Sequence, residues 1–232
     1  MSDVGVPAFV PVVDPRPNDQ AWGQAVGWPI KPETTLIGNA VRLTSSDPDA
    51  DAAELFAALD DDLVWAHLAG RPRDIAGMAA LLASRVGDPE WHPWTVRMAH
   101  PLGELNVGAV VGLTCYLDVS TSDARGEIGS TMYAPSVWAS AVNPECKLLL
   151  LQHAFEVMGW GRVQLKTDIR NHRSQAAIAR LGAQYEGTLR RHHRRGDGTV
   201  RDSVFFSVLA QEWPMVRRNL VERLAAAAPP PG

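Results

Sequence analysis

The hydrophobic period of this chain switches repeatedly between two residues and roughly 3.6, and that alternation limits the fold more than any other feature. Asn39–Ser45 alternates as a strand. Asp47-Pro48 reads as an N-cap followed by proline at the first helical position, opening a helix with Leu55, Phe56 and Leu59 on its apolar face. A second helical pattern runs from Asp74 to Val86. Trp94–Ala99 and Val107–Leu117 read as a hairpin across the turn-rich HPLGELN, and Gly126–Tyr133 as the next strand. Asn143-Pro144 opens a helix that Gly159 ends; Arg162–Thr167 is a strand, and Asn171–Leu181 a helix closed by Gly182. Gln184–His193 and Val200–Leu209 form a hairpin turning at Gly196-Asp197-Gly198, before a last helix over Gln211–Leu224. The order predicts one mixed α/β (α+β) domain without internal repeats.

The ends differ from this body. Residues 1–35 hold Pro7, Pro11, Pro15, Pro17, Pro29 and Pro32, which excludes a long helix or a central strand there. Trp22 and Trp28 suggest that this proline-rich arm packs on the domain surface, where it would also serve a homodimer. The domain proper is expected over 36–224, and residues 225–232 are expected to fray. A net charge of −4 argues against nucleic acid or an anionic membrane as partner. The apolar run Leu148–Leu151 is far too short to span a bilayer, and the N-terminus lacks the pattern of a signal peptide. The two cysteines, Cys115 and Cys146, have no metal-ligand spacing and no disulfide pattern, so no metal is expected and the cytoplasm is.

The most informative stretch runs from Glu127 to Trp160. A strand ends near Ala134-Pro135, a loop of small residues follows, and a helix begins. Helix N-termini present unpaired N–H groups and partial positive charge, which suits a pyrophosphate. Asn143 as cap with Pro144 at the first helical position is an equally good reading of the same residues. Further on, Asn171, Ser174, Ala177 and Leu181-Gly182-Ala183 are spaced as Asn-x-x-Ser-x-x-Ala-x-x-x-x-Gly-Ala.

Together these stretches resemble the GNAT superfamily of N-acetyltransferases, over roughly residues 36–220 and most strongly over 125–214. Trp138-Ala139-Ser140-Ala141-Val142-Asn143 fills the place of that family's pyrophosphate loop, Gln/Arg-x-x-Gly-x-Gly/Ala, with Trp138 where a basic or amide residue is usual. Asn143-Pro144-Glu145-Cys146-Lys147 is similar to the Asn-Thr-Glu-Ala-Lys helix start of the RimJ/RimL-like branch. Glu186-Gly187, Leu189-Arg190, Asp197-Gly198, Arg201-Asp202 and Glu212-Trp213-Pro214 resemble that branch's closing hairpin and helix.

The resemblance implies a mostly antiparallel sheet flanked by helices, splayed between its fourth and fifth strands, here Glu127–Tyr133 and Val163–Thr167. It implies acetyl-CoA as co-substrate, or another acyl-CoA such as succinyl-CoA, and an amine as acceptor. Residues 138–144, with Lys147, Asp168, Asn171 and Ser174, would hold the cofactor, and a backbone N–H around Tyr133, Ala134 and Val137 would bind the thioester oxygen. Ser174 carries over as the acid that protonates the leaving thiol, or is a helix serine bonded back to a carbonyl. The family's helix tyrosine is absent, since Ile178 and Ala179 stand there. Glu127 reads as the base or as half of an ion pair with a neighbouring strand. His100, His153, His192 and His193 titrate in the useful range, and spacing selects none of them. A non-catalytic acyl-CoA-binding module is the rival reading. The run Arg190–Arg195 is either a solvated hairpin rim or an attractor for an acidic substrate, an acidic protein tail or the CoA 3′-phosphate. Trp65, His67, Trp91 and Trp94 either wall the acceptor pocket as an aromatic-lined cleft or serve core packing.

Overall fold

The computed structural model describes residues 10–14 and 23–227. Eight strands form one sheet in the order β1-β2-β3-β4-β5-β6-β8-β7. They are β1 (Thr35–Ile37), β2 (Val41–Ser45), β3 (His92–Met98), β4 (Val110–Ser120), β5 (Arg125–Tyr133), β6 (Arg162–Asp168), β7 (Gln184–Arg194) and β8 (Val200–Leu209). Every neighbouring pair is antiparallel except β5 and β6. The mixed, mostly antiparallel sheet therefore stands as expected, with β1 as an additional edge strand that three residues are too few to announce by alternation.

Helices cover both faces. On one lie α1 (Pro48–Leu59), the short α2 (Asp62–Trp65) and α3 (Ile75–Val86). Asp47 accepts the N–H groups of Asp49 and Ala50 at 2.9 and 3.1 Å, so α1 begins at the cap the sequence predicts, and Asp74, read there as the first helical residue, caps α3 by accepting the Gly77 N–H at 2.7 Å. Leu55, Leu59, Trp65, Met78 and Leu82 pack there on Leu113 and Met132. The other face carries α4 (Val142–Gln152), continued by one π turn (His153–Val157), α5 (His172–Ala179) and α6 (Trp213–Ala227). They bury Cys146, Leu150, Ile178, Val216 and Leu220 against Trp94, Tyr116, Ile128, Val163, Val204 and Val208. Each fully buried aliphatic side chain contributes roughly 2 kcal/mol, so helices this short are held by the two cores rather than by propensity.

The arm packs as expected where it is described. Val26 N–H donates to the Met158 carbonyl at 2.9 Å, the Trp28 indole lies 6.4 Å from that of Trp160, and Ile30 is buried. Trp22 lies outside the described residues. Residues 225–227, expected in the frayed tail, continue α6; 228–232 lie outside the described residues.

The sheet opens at its one parallel pair. β5 and β6 are in register only at Arg125/Arg162, Gly126/Val163 and Glu127/Gln164, and beyond that they diverge. A β-bulge supplies the cause. Cys115 faces Gly129 and Leu113 faces Met132, so β5 spends one more residue than β4, and Ser130 takes a left-handed φ of 49°. Gly112 permits the resulting close approach, for a Cβ there would stand 2.5 Å from the Met132 carbonyl oxygen. The splay implied by the resemblance is thus present.

Candidate active site

A cleft of about 490 Å³ follows the divergence of β5 and β6. At one end, β5 runs through a 3-10 turn (Pro135–Val137) into α4. The structure starts α4 at Val142 with Ala141 as its cap, which corrects the expectation of Asn143 as cap and Pro144 at the first position. Proline fits at Pro144 because first-turn N–H groups make no intrahelical bond. Ser140 takes over capping, its Oγ accepting the Val142 N–H at 3.2 Å. Among the described residues no acceptor meets the N–H groups of Ala139, Ser140, Ala141 or Asn143. Their side chains are small, and Ala139 sits at a left-handed φ of 59°. Four free donors at a helix start form a cradle of the kind that suits an anion.

The first turn of α4 also carries a buried carboxylate. Glu145 accepts the N–H groups of Asn39, Ala40 and Val41 at 2.9, 2.6 and 2.8 Å. It ties α4 to the β1–β2 turn, and Gly38 makes room, since a Cβ there would fall 2.5 Å from the Glu145 carboxyl carbon.

Of the expected cofactor residues, Tyr133, Val137, Trp138, Ala139, Ser140, Asn143, Pro144, Lys147, Asp168, Asn171 and Ser174 line the cleft. Ala134, Ala141 and Val142 stand behind its wall, with Ala134 and Val142 buried. Among the N–H groups expected to reach a thioester oxygen, that of Ala134 is bonded to the Val111 carbonyl and that of Val137 to the Ala134 carbonyl. In the antiparallel ladder fixed by Ala134 and Val111, the preceding residue Tyr133 directs its N–H away from β4, toward the cleft.

Lys147 is buried on α4 and donates to Thr131 Oγ1 at 3.0 Å, with no carboxylate partner among the described residues. Burial lowers its ammonium to about 8. On α5, Asn171 caps the helix by accepting the Ser174 N–H at 3.0 Å, and Ser174 faces the cleft. The Arg173 guanidinium, which the sequence reading did not single out, lies 3.9 Å over the Trp138 ring. Trp138 in turn donates its indole N–H to the Tyr133 carbonyl at 2.9 Å. The positive charge missing from the loop at Trp138 is supplied from α5.

Glu127, Lys166 and Asp168 approach from the opposite face. Glu127 is 2% exposed; its Oε2 meets Lys166 Nζ at 2.9 Å and Gln164 Nε2 at 2.8 Å. Burial nonetheless holds its carboxyl above the ordinary value, against the pull of Lys166. Asp168 is bidentate with Arg195, at 2.6 and 2.7 Å, and accepts the Arg170 N–H. Burial pushes its carboxyl up, but Arg195 and that N–H prevail and hold it below the ordinary value.

His193 and His67 line the cleft, whereas His153 lies under Tyr116 and His100 is exposed elsewhere. Trp91 borders the cleft with His67, whereas Trp65 and Trp94 are core residues, so the pocket-wall reading holds for the first two and the core-packing reading for the others. Cys115 and Cys146 are buried, with thiols pushed up by burial to about 11 and about 12.

A family model described as an acetyltransferase (GNAT) domain matches residues 41–184. The chain belongs to the GNAT acetyltransferase family. Acyl-CoA-dependent acetyl transfer is the general activity of GNAT proteins. A GNAT-family structure from Chromobacterium violaceum is 30% identical, with a TM-score of 0.76 over 89% of this chain and 100% of that one. A GCN5-related N-acetyltransferase from Brucella melitensis shares the fold at 24% identity, with a TM-score of 0.78 over 90% and 95% of the two chains. So does Mycobacterium smegmatis RimJ, solved with CoA-disulfide, at 20% identity and a TM-score of 0.69 over 89% and 98%. No curated protein matches the chain.

Proposed function

We propose that this GNAT domain transfers an acetyl group from acetyl-CoA to a primary amine, of a protein N-terminus or a small molecule, as a RimJ/RimL-like enzyme of the cytoplasm. The observation that carries the reading is the N–H cradle at 139–143 opening into the wedge between β5 and β6. Bound acetyl-CoA supplies an acyl carbon activated as a thioester. The cradle, with Arg173 beside it, holds the pyrophosphate, and the facing edges of β5 and β6 accept the pantetheine amides as a strand would be accepted. Tyr133 N–H donates to the thioester oxygen as charge develops there. Glu127 takes the proton of the attacking ammonium, directly or through a water, and Ser174 Oγ–H gives one to the departing sulfur. Lys147, a low-pKa cation beside Thr131, adds positive potential at the bend of β5.

Calorimetry with acetyl-CoA, succinyl-CoA and free CoA, followed by thiol release over a panel of amines, tests this. Acetyl-CoA is expected to bind well below millimolar and to release thiol with at least one amine. Absence of binding removes the reading. Two observations favour a second one, a non-catalytic acyl-CoA-binding module: Glu127 is engaged by Lys166, and Ile178 and Ala179 stand where the family's tyrosine would be. Tight binding without turnover on any amine selects it.

A further inference from the structure

The outer face of the sheet, across from α4 and α5, is strongly polar near the cleft. β8 alternates: Val204, Phe206 and Val208 enter the core shared with α6, so Arg201, Ser203 and Phe205 turn to the other face. Glu127, Gln164, Lys166 and Asp168 share that face, as their mutual bonds and the register of β5, β6 and β8 require. Most cations here are satisfied by carboxylates. Lys166 has Glu127 and Asp118, Arg195 has Asp168, and Arg162 has Glu186.

Arg201 differs. It is half-buried in the cleft wall and forms no ion pair with a carboxylate among the described residues. Its Nε donates to Ser203 Oγ at 3.1 Å, and that hydroxyl also meets His192 Nδ1 at 3.1 Å, which fixes the plane of the guanidinium. The two Nη groups bond to no atom of the described residues. His193, its partner in register on β7, stands beside it in the cleft wall. Opposite, the α2–α3 segment closes on the β7–β8 turn, where a Cβ at Gly196 would lie 3.8 Å from Ala69 Cα. A permanently charged planar fork, oriented and partly desolvated, has one efficient complement: a two-oxygen anion. The N–H donors at 139–143 start α4, which packs on the other face of the sheet, so Arg201 suits a second anion beside the one they take.

We propose that the acceptor is an amine that also bears an oxyanion, a carboxylate in the first instance, and that Arg201 holds that group. The inference rests on the acetyl-transfer reading above, and it narrows the acceptor from any amine to amino acids, peptides with an acidic group, or their analogues. Arg201 is then the residue that sets specificity. With the oxyanion forked on its Nη groups, the ammonium lies toward Glu127, on the same face.

Matched acceptors test it: β-alanine against propylamine, phenylalanine against phenylalaninamide, and O-phosphoethanolamine against ethanolamine, each with saturating acetyl-CoA and thiol release as readout. The anionic member of each pair is expected to have the higher kcat/KM. Arg201→Ala is expected to lower the anionic member's kcat/KM by about thirtyfold, the loss typical of removing a charged hydrogen-bond partner. It compresses the ratio within each pair toward one, and Arg201→Lys recovers part of it. Calorimetry of Arg201→Ala with acetyl-CoA reports whether the fold and the cradle survive. A preference for O-phosphoethanolamine over β-alanine retains the site and makes its natural group a phosphate. Equal rates within the wild-type pairs, or an equal fall of both members in Arg201→Ala, overturns the proposal while acetyl transfer stands. If acetyl-CoA binds but no amine turns over, N-acetyl-β-alanine binding to the CoA-loaded protein decides: binding lost in Arg201→Ala supports the site, and no binding to wild type overturns it. Failure to bind acetyl-CoA at all removes both readings together.

Discussion

Glu127 meets two demands at one carboxyl group. Burial resists its ionisation while Lys166 favours it, and burial prevails, so the group titrates above the ordinary carboxylate value. A base must be deprotonated to act, so kcat/KM is expected to rise as pH rises through that elevated value. Glu127→Gln should erase this acid limb and cut the rate by about a hundredfold, the usual scale for a positioned base. A pH–rate profile of the two proteins checks it; an unchanged limb in the variant assigns the base elsewhere. Of the two readings of Glu127 in the sequence, the ion pair with the next strand is present, and the carboxyl also lines the cleft, where the pH–rate profile tests the other. Ser174 and Asn171 were singled out through the spacing of the family's signature, and the structure sets both on the cleft with Asn171 capping the helix. Arg173 and Arg201 were not, because what singles them out is a ring beneath one and the missing partner of the other, and neither is local in sequence.

Among elements, α4 bears the most. Its N-terminus aims the cradle, and the three N–H bonds that Glu145 accepts fix where that N-terminus sits. Glu145→Ala strips the acceptor from three backbone donors at once. A loss of about 3 kcal/mol in urea unfolding is expected, with weaker acetyl-CoA binding by calorimetry. Binding unchanged in a destabilised variant would separate the staple from the cradle.

The β7–β8 hairpin is tied to the end of β6 by Asp168 and Arg195. Because the folded state lowers the Asp168 pKa, the pair stabilises above the ordinary value of 3.8 and loses its effect as pH falls through the lower folded value. Asp168→Asn is expected to lower stability at neutral pH, since it removes the carboxylate that Arg195 grips. It should also flatten the acid end of the stability curve, measured by denaturant midpoints from pH 2 to 7. The start of α4 was misread in the sequence for a physical reason. Proline is accepted anywhere in the first turn, so Asn143-Pro144 is compatible with a start at either residue. The edge strand β1 escaped because alternation needs more than three residues to show.

At the scale of the molecule, the order of elements was legible almost throughout, because each change of hydrophobic period marks a change of element. The opening between β5 and β6 was visible only through family likeness. Its immediate cause is one surplus residue at Ser130 with a left-handed φ, and Ser130 carries no sequence mark of that conformation. That opening has a mechanical meaning. Among the described residues, three rungs of parallel pairing are the strand-to-strand register that joins a five-stranded half-sheet, β1 to β5, to a three-stranded one, β6 to β8. A pantetheine arm bonded to both lips would suture the halves, so the substrate becomes a temporary member of the fold. The melting temperature is accordingly expected to climb with acetyl-CoA concentration as mass action requires, and amide exchange to slow at Gly129–Tyr133 ahead of the peripheral strands. Each turnover would then loosen the molecule briefly, when the product leaves and the seam stands alone.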